Sequence, residues 1–286
     1  MNFSLPAPAK LNLFLHITGR RADGYHTLQT VFALLDVGDT LHFADADRLT
    51  LEAPAELGGD DNLILRAARA LQSASGCQRG AAIRLDKRLP AGGGVGGGSS
   101  DAATTLLGLN LLWQLDLPID TLAQIGLALG ADVPVFVRGH SAWAEGVGEQ
   151  LQALDLAQQF FVVVHPGISV STAAIFADPQ LTRHTPESRV AAFLGPGAET
   201  RFRNDCEPVA TRLFPAIRDA LDWLRKQTGN ARLTGTGACV FARVADQQQG
   251  EDVLRRLPSA WQGFVARSVN ESPAHTALAQ LRNTAR

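Results

Sequence analysis

Apolar residues alternate with polar ones in some segments and recur every three to four positions in others, so the chain predicts a mixture of strands and helices. Alternation and short apolar runs predict strands over 10–17, 31–44 with a turn at Gly38–Asp39, 81–89, 160–167, 231–244 and 263–269. Helical spacing predicts helices over 62–76, 121–130, 171–177, 206–228 and 246–257, and another after a glycine-rich run that ends at residue 98. The fold class expected is α+β.

The order of these elements divides the chain into two parts. From Phe160 onward the order is β–α–β–α–β, which predicts a small α+β sandwich with its own core. We therefore expect one domain over 1–157 and a second over 158–286. The segment 178–198 is rich in proline, glycine and threonine and is interpreted as a surface loop.

The glycine-rich run, Gly92–Gly94 and Gly96–Gly98, is the most informative segment for function. Regular structure disfavours so many glycines, but they let the backbone approach a ligand closely. Ser99, Ser100 and Asp101 are residue types typical of helix N-caps, and an apolar helical pattern follows them. A glycine loop that leads into a helix N-terminus is an anion site, which favours phosphate binding over a flexible linker.

This loop matches neither of the common nucleotide-binding motifs. A Walker A sequence ends in Gly-Lys-Ser or Gly-Lys-Thr, whereas Gly98 is followed by Ser99. The contiguous glycines also differ from the G-x-G-x-x-G spacing of dinucleotide-binding proteins. Positive charge for phosphate must therefore come from elsewhere, and Lys87, Arg88 and the more distant Lys10 are the candidates.

Composition narrows the class of protein. The 286 residues are 45% hydrophobic and 19% charged with a net charge of −2, which gives no electrostatic reason to expect nucleic acid or a membrane surface as partner. Three cysteines without metal-ligand spacing favour reduced thiols in a cytoplasmic protein. The N-terminal segment lacks a basic region before its apolar run, so no secretory signal is predicted.

Four further segments carry candidate chemistry. Lys10 and Asn12 fall on one face of a predicted strand, and Asp132 follows a helix that ends at Gly130. Each of these alone is more typical of a solvated edge lysine or of a turn aspartate. Tyr25 and His26 are adjacent in a predicted turn, where they could stack on a planar ring and bond to it, and Gly235-Thr236-Gly237 is a second tight glycine loop.

Together, the segments PAPAKLNLFL, GRRADGYHTLQTVF, LPAGGGVGGGSSDAA, LGADVPVF and LTGTGACVFA resemble the GHMP kinase superfamily of small-molecule kinases, from about residue 5 to about residue 275. The resemblance implies a two-domain fold, in which a domain like ribosomal protein S5 domain 2 precedes a ferredoxin-like domain and the active site lies between them. Within the superfamily, the RADGYH and GADVPVF contexts resemble members that phosphorylate a cytidine diphosphate-linked polyol with ATP.

The resemblance also implies roles for particular residues. Lys10 and Asp132 would be catalytic, with Asp132 accepting the proton of the attacked hydroxyl and Lys10 offsetting the negative charge. The ATP-binding residues would be Pro90, Ala91, Gly92, Gly93, Gly94, Val95, Gly96, Gly97, Gly98, Ser99, Ser100, Lys87 and Asn62. The residues that bind the second substrate would be Asn12, Tyr25, His26, His165, Phe176, Gly235 and Thr236.

Some alternatives remain open. Mg²⁺ is expected with ATP, held by phosphate and water, because no carboxylate cluster predicts a protein metal site. Asp101 would be a like charge near a triphosphate, so its side chain is expected to face away from the phosphates. Rival hypotheses are a kinase of mevalonate, homoserine or a sugar, and a non-catalytic nucleotide-binding protein. The chain is expected to be a monomer or a homodimer.

Overall fold

Two long antiparallel strands form the framework of the protein. In the computed structural model, which describes residues 2–284, β1 (Asn2–Arg20) and β2 (His26–Ala44) pair from Asn2 opposite Ala44 to Arg20 opposite His26. The sequence predicted only 10–17 as the first strand, because Pro6 and Pro8 interrupt the alternating pattern. Within the sheet β1 pairs with β2 alone, and an edge strand tolerates proline because its outer side needs no ladder hydrogen bond.

The turn predicted at Gly38–Asp39 is wrong, since β2 continues through it. Gly38 lies opposite Pro8, and a Cβ atom at Gly38 would lie only 2.1 Å from the carbonyl oxygen of Ala7. The glycine is therefore explained by the close approach of β1. The Asp39 side chain, 1% exposed, points into the protein.

The remaining strands extend this sheet in both directions. They are β3 (Leu49–Glu52), β4 (Ala81–Asp86), β5 (Ala142–Glu145), β6 (Gln150–Ala153), β7 (Phe160–His165), β8 (Arg232–Leu233), β9 (Val240–Val244) and β10 (Gln262–Val269). The order is β3-β4-β2-β10-β7-β9-β8, with β5 on β2 and β6 on β5. A short ladder, Ser268 with Leu35 and Val269 with Leu34, connects the strands of the two predicted domains. The predicted strand 231–244 is interrupted by the loop 234–239.

The helices pack on the sheet or lie in the segments that connect its strands. They are α1 (Leu63–Ser75), α2 (Gly97–Leu112), α3 (Ile119–Leu127), α4 (Val133–Arg138), α5 (Thr172–Ala177), α6 (Val190–Leu194), α7 (Ala198–Arg201), α8 (Glu207–Leu213), α9 (Pro215–Thr228), α10 (Gln247–Leu254) and α11 (Pro273–Thr284), with a 3-10 turn at Ala55–Leu57. The helix predicted over 206–228 is two helices, because Pro215 cannot donate a backbone hydrogen bond and starts a new one. None of the helices within residues 2–284 is long and apolar enough to span a bilayer.

Two main cores stabilise the two halves. The first packs α1 and α2 on the early strands around Phe43, Leu71 and Leu106, and the second packs α9 on β7 and β9 around Ile217. Leu278 of α11 belongs to the first core although it lies near the C-terminus. The domain boundary at 157/158 stays a prediction. Helix α11, although it follows the second core in sequence, packs in the first core.

The segment 178–198 is not only the surface loop that the sequence predicted. It contains α6, and the Phe193 ring packs 5.4 Å from Phe14 and 5.3 Å from Phe202, measured between ring centroids. Phe193 is the one aromatic residue in this segment rich in proline and glycine, and its apolar run, residues 190–194, is too short to show a period from which burial could be predicted.

Candidate active site

The glycine run ends inside a helix rather than before it. Helix α2 begins at Gly97, its N-cap is Gly96, and the Ser100 N–H donates to the Gly96 carbonyl at 2.8 Å. The expectation that Ser99, Ser100 or Asp101 caps the helix is therefore wrong. Backbone N–H groups of the first helical turn have no partner within the helix, so they remain available to an anion.

Packing, as well as ligand approach, explains the glycines. Gly94 and Gly96 have φ angles of +75° and +76°, which side-chain-bearing residues rarely adopt. A Cβ atom at Gly94 would lie 2.5 Å from the Thr234 carbonyl oxygen. The Lys10 N–H donates to the Val95 carbonyl at 2.9 Å, so the loop is held firmly against β1.

A buried cation and a partly exposed carboxylate lie beside this loop. The Lys10 ammonium donates to Asn12 Oδ1 at 2.5 Å and to the Gly94 carbonyl at 3.1 Å, and it lies 3.1 Å from Asp132 Oδ2. Asp132 occupies the N-cap position of α4, yet its side chain makes no capping hydrogen bond. The interpretation of Lys10 as a solvated edge residue is therefore wrong, and Asp132 lies in a turn, as its context predicted, without capping the helix through its side chain.

The second glycine loop, 234–239, meets β1 and the first loop. The Asn12 N–H donates to Thr234 Oγ1 at 3.0 Å, and the Cys239 N–H donates to the Gly93 carbonyl at 2.9 Å. Asn204 donates through Nδ2 to the carbonyl of Gly235 at 2.8 Å and so helps to hold the loop in position. These bonds bring Gly235 and Thr236 to the same place as Lys10.

A cavity of about 700 Å³ opens where these elements meet. Most of the predicted catalytic and substrate-binding residues line it, together with two residues of the glycine loop region. These are Lys10, Asp132, Asn12, Tyr25, His26, Phe176, Gly235, Thr236, Gly94 and Ser99. The cavity also contains residues that the sequence analysis did not select, including Phe32, Arg20 and Thr172.

One end of the cavity is aromatic. The rings of His26 and Phe176 stack with centroids 5.1 Å apart and planes 26° apart, and Tyr25 is 65% exposed beside them. Burial, together with the positive charges of Arg183 and Arg20, lowers the pKa of His26. Arg183 donates through Nε to His26 Nε2 at 3.0 Å. Sequence analysis missed Arg183 because 157 positions separate it from His26 and no local pattern connects them.

Two predicted ligand residues have other surroundings. His165 does not line this cavity; it lies behind the glycine loop, its Cδ2 3.4 Å from where a Cβ of Gly93 would be, and its Nδ1 accepts from the Gly167 N–H at 3.3 Å. Asn62 is the N-cap of α1, where Oδ1 accepts from Ile64 and Nδ2 donates to the Leu57 carbonyl. The predicted contact of His165 with the second substrate is therefore not supported, and the amide of Asn62 is already used by the backbone.

Lys87 lies beneath the first turn of α2 between two buried carboxylates. Its ammonium is 2.6 Å from Asp39 Oδ2 and 2.9 Å from Asp101 Oδ2. Burial alone would lower the pKa of Lys87, but the charges of Asp101 and Asp39 together raise it. Burial raises the pKa of Asp101 to about 7 against the opposing charge of Lys87. The positive charge of Lys87 is thus balanced by protein carboxylates, which disfavours the predicted direct contact of Lys87 with ATP.

Two polar atoms near the helix start lack partners within residues 2–284. They are the Ser100 hydroxyl oxygen and Asp101 Oδ1. In the same range, no cluster of three or more His, Cys, Asp or Glu side chains could hold a metal ion. A buried hydroxyl and free N–H groups at a helix N-terminus suit a phosphate, so the residues present fit the triphosphate of ATP.

This combination of a glycine loop, a helix N-terminus and a lysine–aspartate pair is accompanied by clear sequence similarity. The description "GHMP kinases N terminal domain" matches residues 62–140, and "GHMP kinases C terminal" matches residues 191–263. The chain belongs to the GHMP kinase family, and it is a small-molecule kinase. The two-domain α+β fold implied by the sequence resemblance is confirmed.

Individual relatives narrow the comparison. A protein of Alcanivorax borkumensis named 4-diphosphocytidyl-2-C-methyl-D-erythritol kinase is 62% identical, and the match covers 99% of this chain and 98% of that protein. A kinase of the same name from Chromohalobacter salexigens is 58% identical over 96% of this chain and 94% of its own. A crystal structure of 4-(cytidine 5'-diphospho)-2C-methyl-D-erythritol kinase superposes with a TM-score of 0.80 at 33% identity, covering 93% of this chain and 99% of that one.

Proposed function

We propose that the protein transfers the γ-phosphoryl group of ATP to the 2-hydroxyl of 4-diphosphocytidyl-2-C-methyl-D-erythritol, giving the 2-phosphate and ADP. The observation that carries this proposal is the single cavity that places the Lys10–Asp132 pair and the His26–Phe176 stack together. The first pair suits phosphoryl transfer and the second suits a flat nitrogen base. The names of the relatives agree with this substrate.

The phosphates of ATP are held by the glycine loop and the start of α2. Free N–H groups of the first helical turn and the positive end of the helix dipole both favour anionic oxygens. Gly94 and Ser99 line the cavity, so this surface faces the second substrate. Mg²⁺ accompanies ATP in this proposal and supplies charge neutralisation on the phosphate oxygens.

Asp132 accepts the proton of the attacked hydroxyl. Its carboxylate is 34% exposed and lines the cavity, so a hydroxyl can reach it. Lys10 is fixed by Asn12 and by the Gly94 carbonyl, which places a positive charge between the carboxylate and the phosphate loop. A charge held in place before the reaction lowers the barrier because it needs no reorganisation.

The aromatic end of the cavity binds the base of the second substrate. His26 and Phe176 present a stacked pair, and the exposed Tyr25 ring lies next to them. Asn12, Gly235 and Thr236 line the same cavity and are the residues that we assign to the diphosphate and polyol. All three cysteines are free thiols, which agrees with a reaction in the reducing cytoplasm.

A panel of acceptors tests this function. The protein is incubated with ATP, Mg²⁺ and, separately, 4-diphosphocytidyl-2-C-methyl-D-erythritol, mevalonate, homoserine and galactose, and ADP release is measured. Release only with the cytidine compound supports the proposal. Mevalonate kinase of Methanococcus jannaschii shares the fold at a TM-score of 0.68 but only 17% identity, so preference for mevalonate would replace the proposed acceptor and keep the kinase class. No release with any acceptor would favour a nucleotide-binding protein without activity.

A further inference from the structure

Arg183 contacts two residues that line the substrate cavity, the His26 ring and the Phe176 backbone. Its Nη1 donates to the Leu181 carbonyl at 3.0 Å, and its Nη2 donates to the carbonyls of Phe176 at 3.0 Å and Asp178 at 2.7 Å. The remaining bonded donor, Nε–H, is directed at His26 Nε2 at 3.0 Å. The guanidinium is therefore held in place by backbone groups, and its Nε–H is the donor that faces His26.

This contact determines which nitrogen of His26 carries the proton. A guanidinium has only N–H donors, so the His26 nitrogen that faces it must be an acceptor. Burial and the nearby charges of Arg183 and Arg20 lower the pKa of His26, which keeps the ring neutral at pH 7. A neutral imidazole has one N–H, and that hydrogen must then be on Nδ1. Among residues 2–284, Nδ1 has no hydrogen-bond partner, and the residue lines the cavity.

We propose that Arg183 is a positioning residue that holds His26 in the Nδ1–H tautomer and thereby makes the site select a cytosine base over a uracil base. The inference rests on the proposed function, since it concerns the base of that same substrate. Arg183 acts through His26 and through the Phe176 backbone, and it is not itself among the residues that line the cavity.

The chemistry of the two bases supplies the selectivity. The ring edge of cytosine offers N3 and O2 as acceptors, whereas N3 of uracil carries a hydrogen and is a donor. Because O2 is an acceptor in both bases, the selection depends on N3 facing His26: a donor at Nδ1 then matches cytosine N3 and opposes the uracil N3–H. His26 could accept from uracil only by moving its proton to Nε2, where it would oppose the Nε–H of Arg183. An unpaired buried donor costs enough to produce roughly a 5- to 100-fold preference.

A purely structural role of Arg183 is the competing explanation, because the same side chain bonds to backbone carbonyls of the segment 176–181 and holds that segment in place. Two substitutions separate the explanations. Arg183→Lys and Arg183→Gln both lose the fork of bonds to the three backbone carbonyls. Lysine remains a donor with a positive charge. The glutamine amide can either donate or accept, so it no longer requires the proton of His26 to be on Nδ1. Arg212→Gln is the matched control, since Arg212 pairs with Asp178 Oδ2 at 2.5 Å in the same segment.

The measurement is the ratio of kcat/KM for the cytidine substrate to kcat/KM for its uridine analogue. We expect Arg183→Gln to lower this ratio by about 10-fold, mainly through better use of the uridine analogue, since the donor–donor opposition is removed. Arg183→Lys and Arg212→Gln should keep a ratio close to that of the unchanged protein. ¹⁵N NMR of the imidazole nitrogens, assigned with His26→Ala, should show a protonated Nδ1 in the unchanged protein and a mixture in Arg183→Gln.

Several results would overturn the inference. These are a ratio that changes equally in the lysine and glutamine variants, a ratio that changes in neither, and a His26 ring protonated at Nε2 in the unchanged protein. Failure of the proposed function is distinguishable, because the unchanged protein would then phosphorylate neither the cytidine compound nor its uridine analogue. Activity on the cytidine compound with an unaltered ratio in Arg183→Gln would reject the role of Arg183 alone.

Discussion

Lys10 and Asp132 form an ion pair whose two members differ sharply in exposure: the lysine side chain is 3% exposed and the aspartate side chain is 34% exposed. The ammonium is surrounded by fixed acceptors, with Asn12 and the Gly94 carbonyl beside Asp132. The carboxylate keeps an open side toward the cavity. The cation therefore contributes a stationary charge, while the carboxylate remains accessible to a proton.

Removing the carboxylate should stop catalysis without removing ATP binding. We expect Asp132→Asn to lower kcat by about 10²–10⁴-fold, because it preserves the shape and removes the proton acceptor. Nucleotide affinity, measured by titration, should change little since the glycine loop holds the phosphates. Asp120→Asn is the control, because the Asp120 side chain is 72% exposed and pairs with Arg138 on the surface. A near-normal kcat in Asp132→Asn would remove its catalytic role.

Lys10 should act as a unit with Asp132. We expect Lys10→Ala to lower kcat by a similar factor, and the double variant to be little worse than either single one. Lys10 also supports the loop through Gly94, so unfolding by urea is measured alongside to separate lost activity from lost structure. Multiplying effects in a well-folded double variant would indicate independent roles.

The glycine positions should differ strongly in their tolerance of alanine. At Gly94 the positive φ and the Thr234 carbonyl at 2.5 Å exclude a Cβ, so Gly94→Ala should distort the loop and weaken ATP binding by at least about 10-fold. At Gly98 the nearest atom is Leu63 Cδ1 at 3.4 Å, an ordinary contact. Gly98→Ala is therefore the matched control, expected to bind ATP normally. Equal affinities in calorimetric titration would show that the loop adapts.

His26 should affect the second substrate alone. We expect His26→Ala to raise the KM of the cytidine substrate by about 10-fold, since a hydrogen bond and the stack on Phe176 are both lost. The KM of ATP should stay nearly unchanged because the glycine loop, and not His26, is assigned to the phosphates. Initial rates with each substrate varied in turn test this. Comparable increases in both KM values would assign His26 a structural role.

Lys87 should matter for stability more than for ATP affinity. Lys87→Met leaves Asp39 and Asp101 buried without a cation, and breaking such a pair costs about 3–5 kcal/mol. We expect Asp101→Asn, added to Lys87→Met, to recover part of this loss, as measured by urea unfolding. If Lys87→Met instead kept its stability and lost ATP binding, Lys87 would contact the nucleotide.

Stability should fall as the pH falls below 6.5. Burial lowers the pKa of His16, His26, His165 and His275 from 6.5, so the unfolded chain takes up more protons than the folded one in this range. Asp101 acts in the opposite direction, because its folded pKa of about 7 exceeds the ordinary 3.8, and protonation there favours folding as the pH falls.

Two variants should move this pH dependence in opposite directions. His16→Phe removes one buried titrating ring, which stacks on Phe202 at 5.4 Å, so the loss of stability between pH 7.5 and 5.5 should become smaller. Asp101→Asn removes the opposing contribution, so the loss should become larger. The free energy of unfolding in urea at several pH values tests both. A slope unaltered in each variant would contradict these assignments.

The sequence predicted the elements with regular patterns and the residues with unusual chemistry. Lys10, Asn12 and Asp132 were selected from local context and meet in one cavity. What it could not predict depends on contacts between distant segments. Asp101 looks like a helix cap by type, but the real cap is Gly96, because the helix start is set by packing against β1 and Lys87. Arg183 has no local signal because its role arises only when the chain brings it to His26.

The placement of α11 has a consequence for how the chain folds during and after its synthesis. Leu278 completes the first core, and β10, immediately before α11, pairs with both β2 and β7. During synthesis the first half emerges long before these residues do, so its hydrophobic surface stays incomplete until translation ends. We therefore expect the two halves to reach their native state together after release, and a nascent chain stalled before residue 262 to remain sensitive to protease.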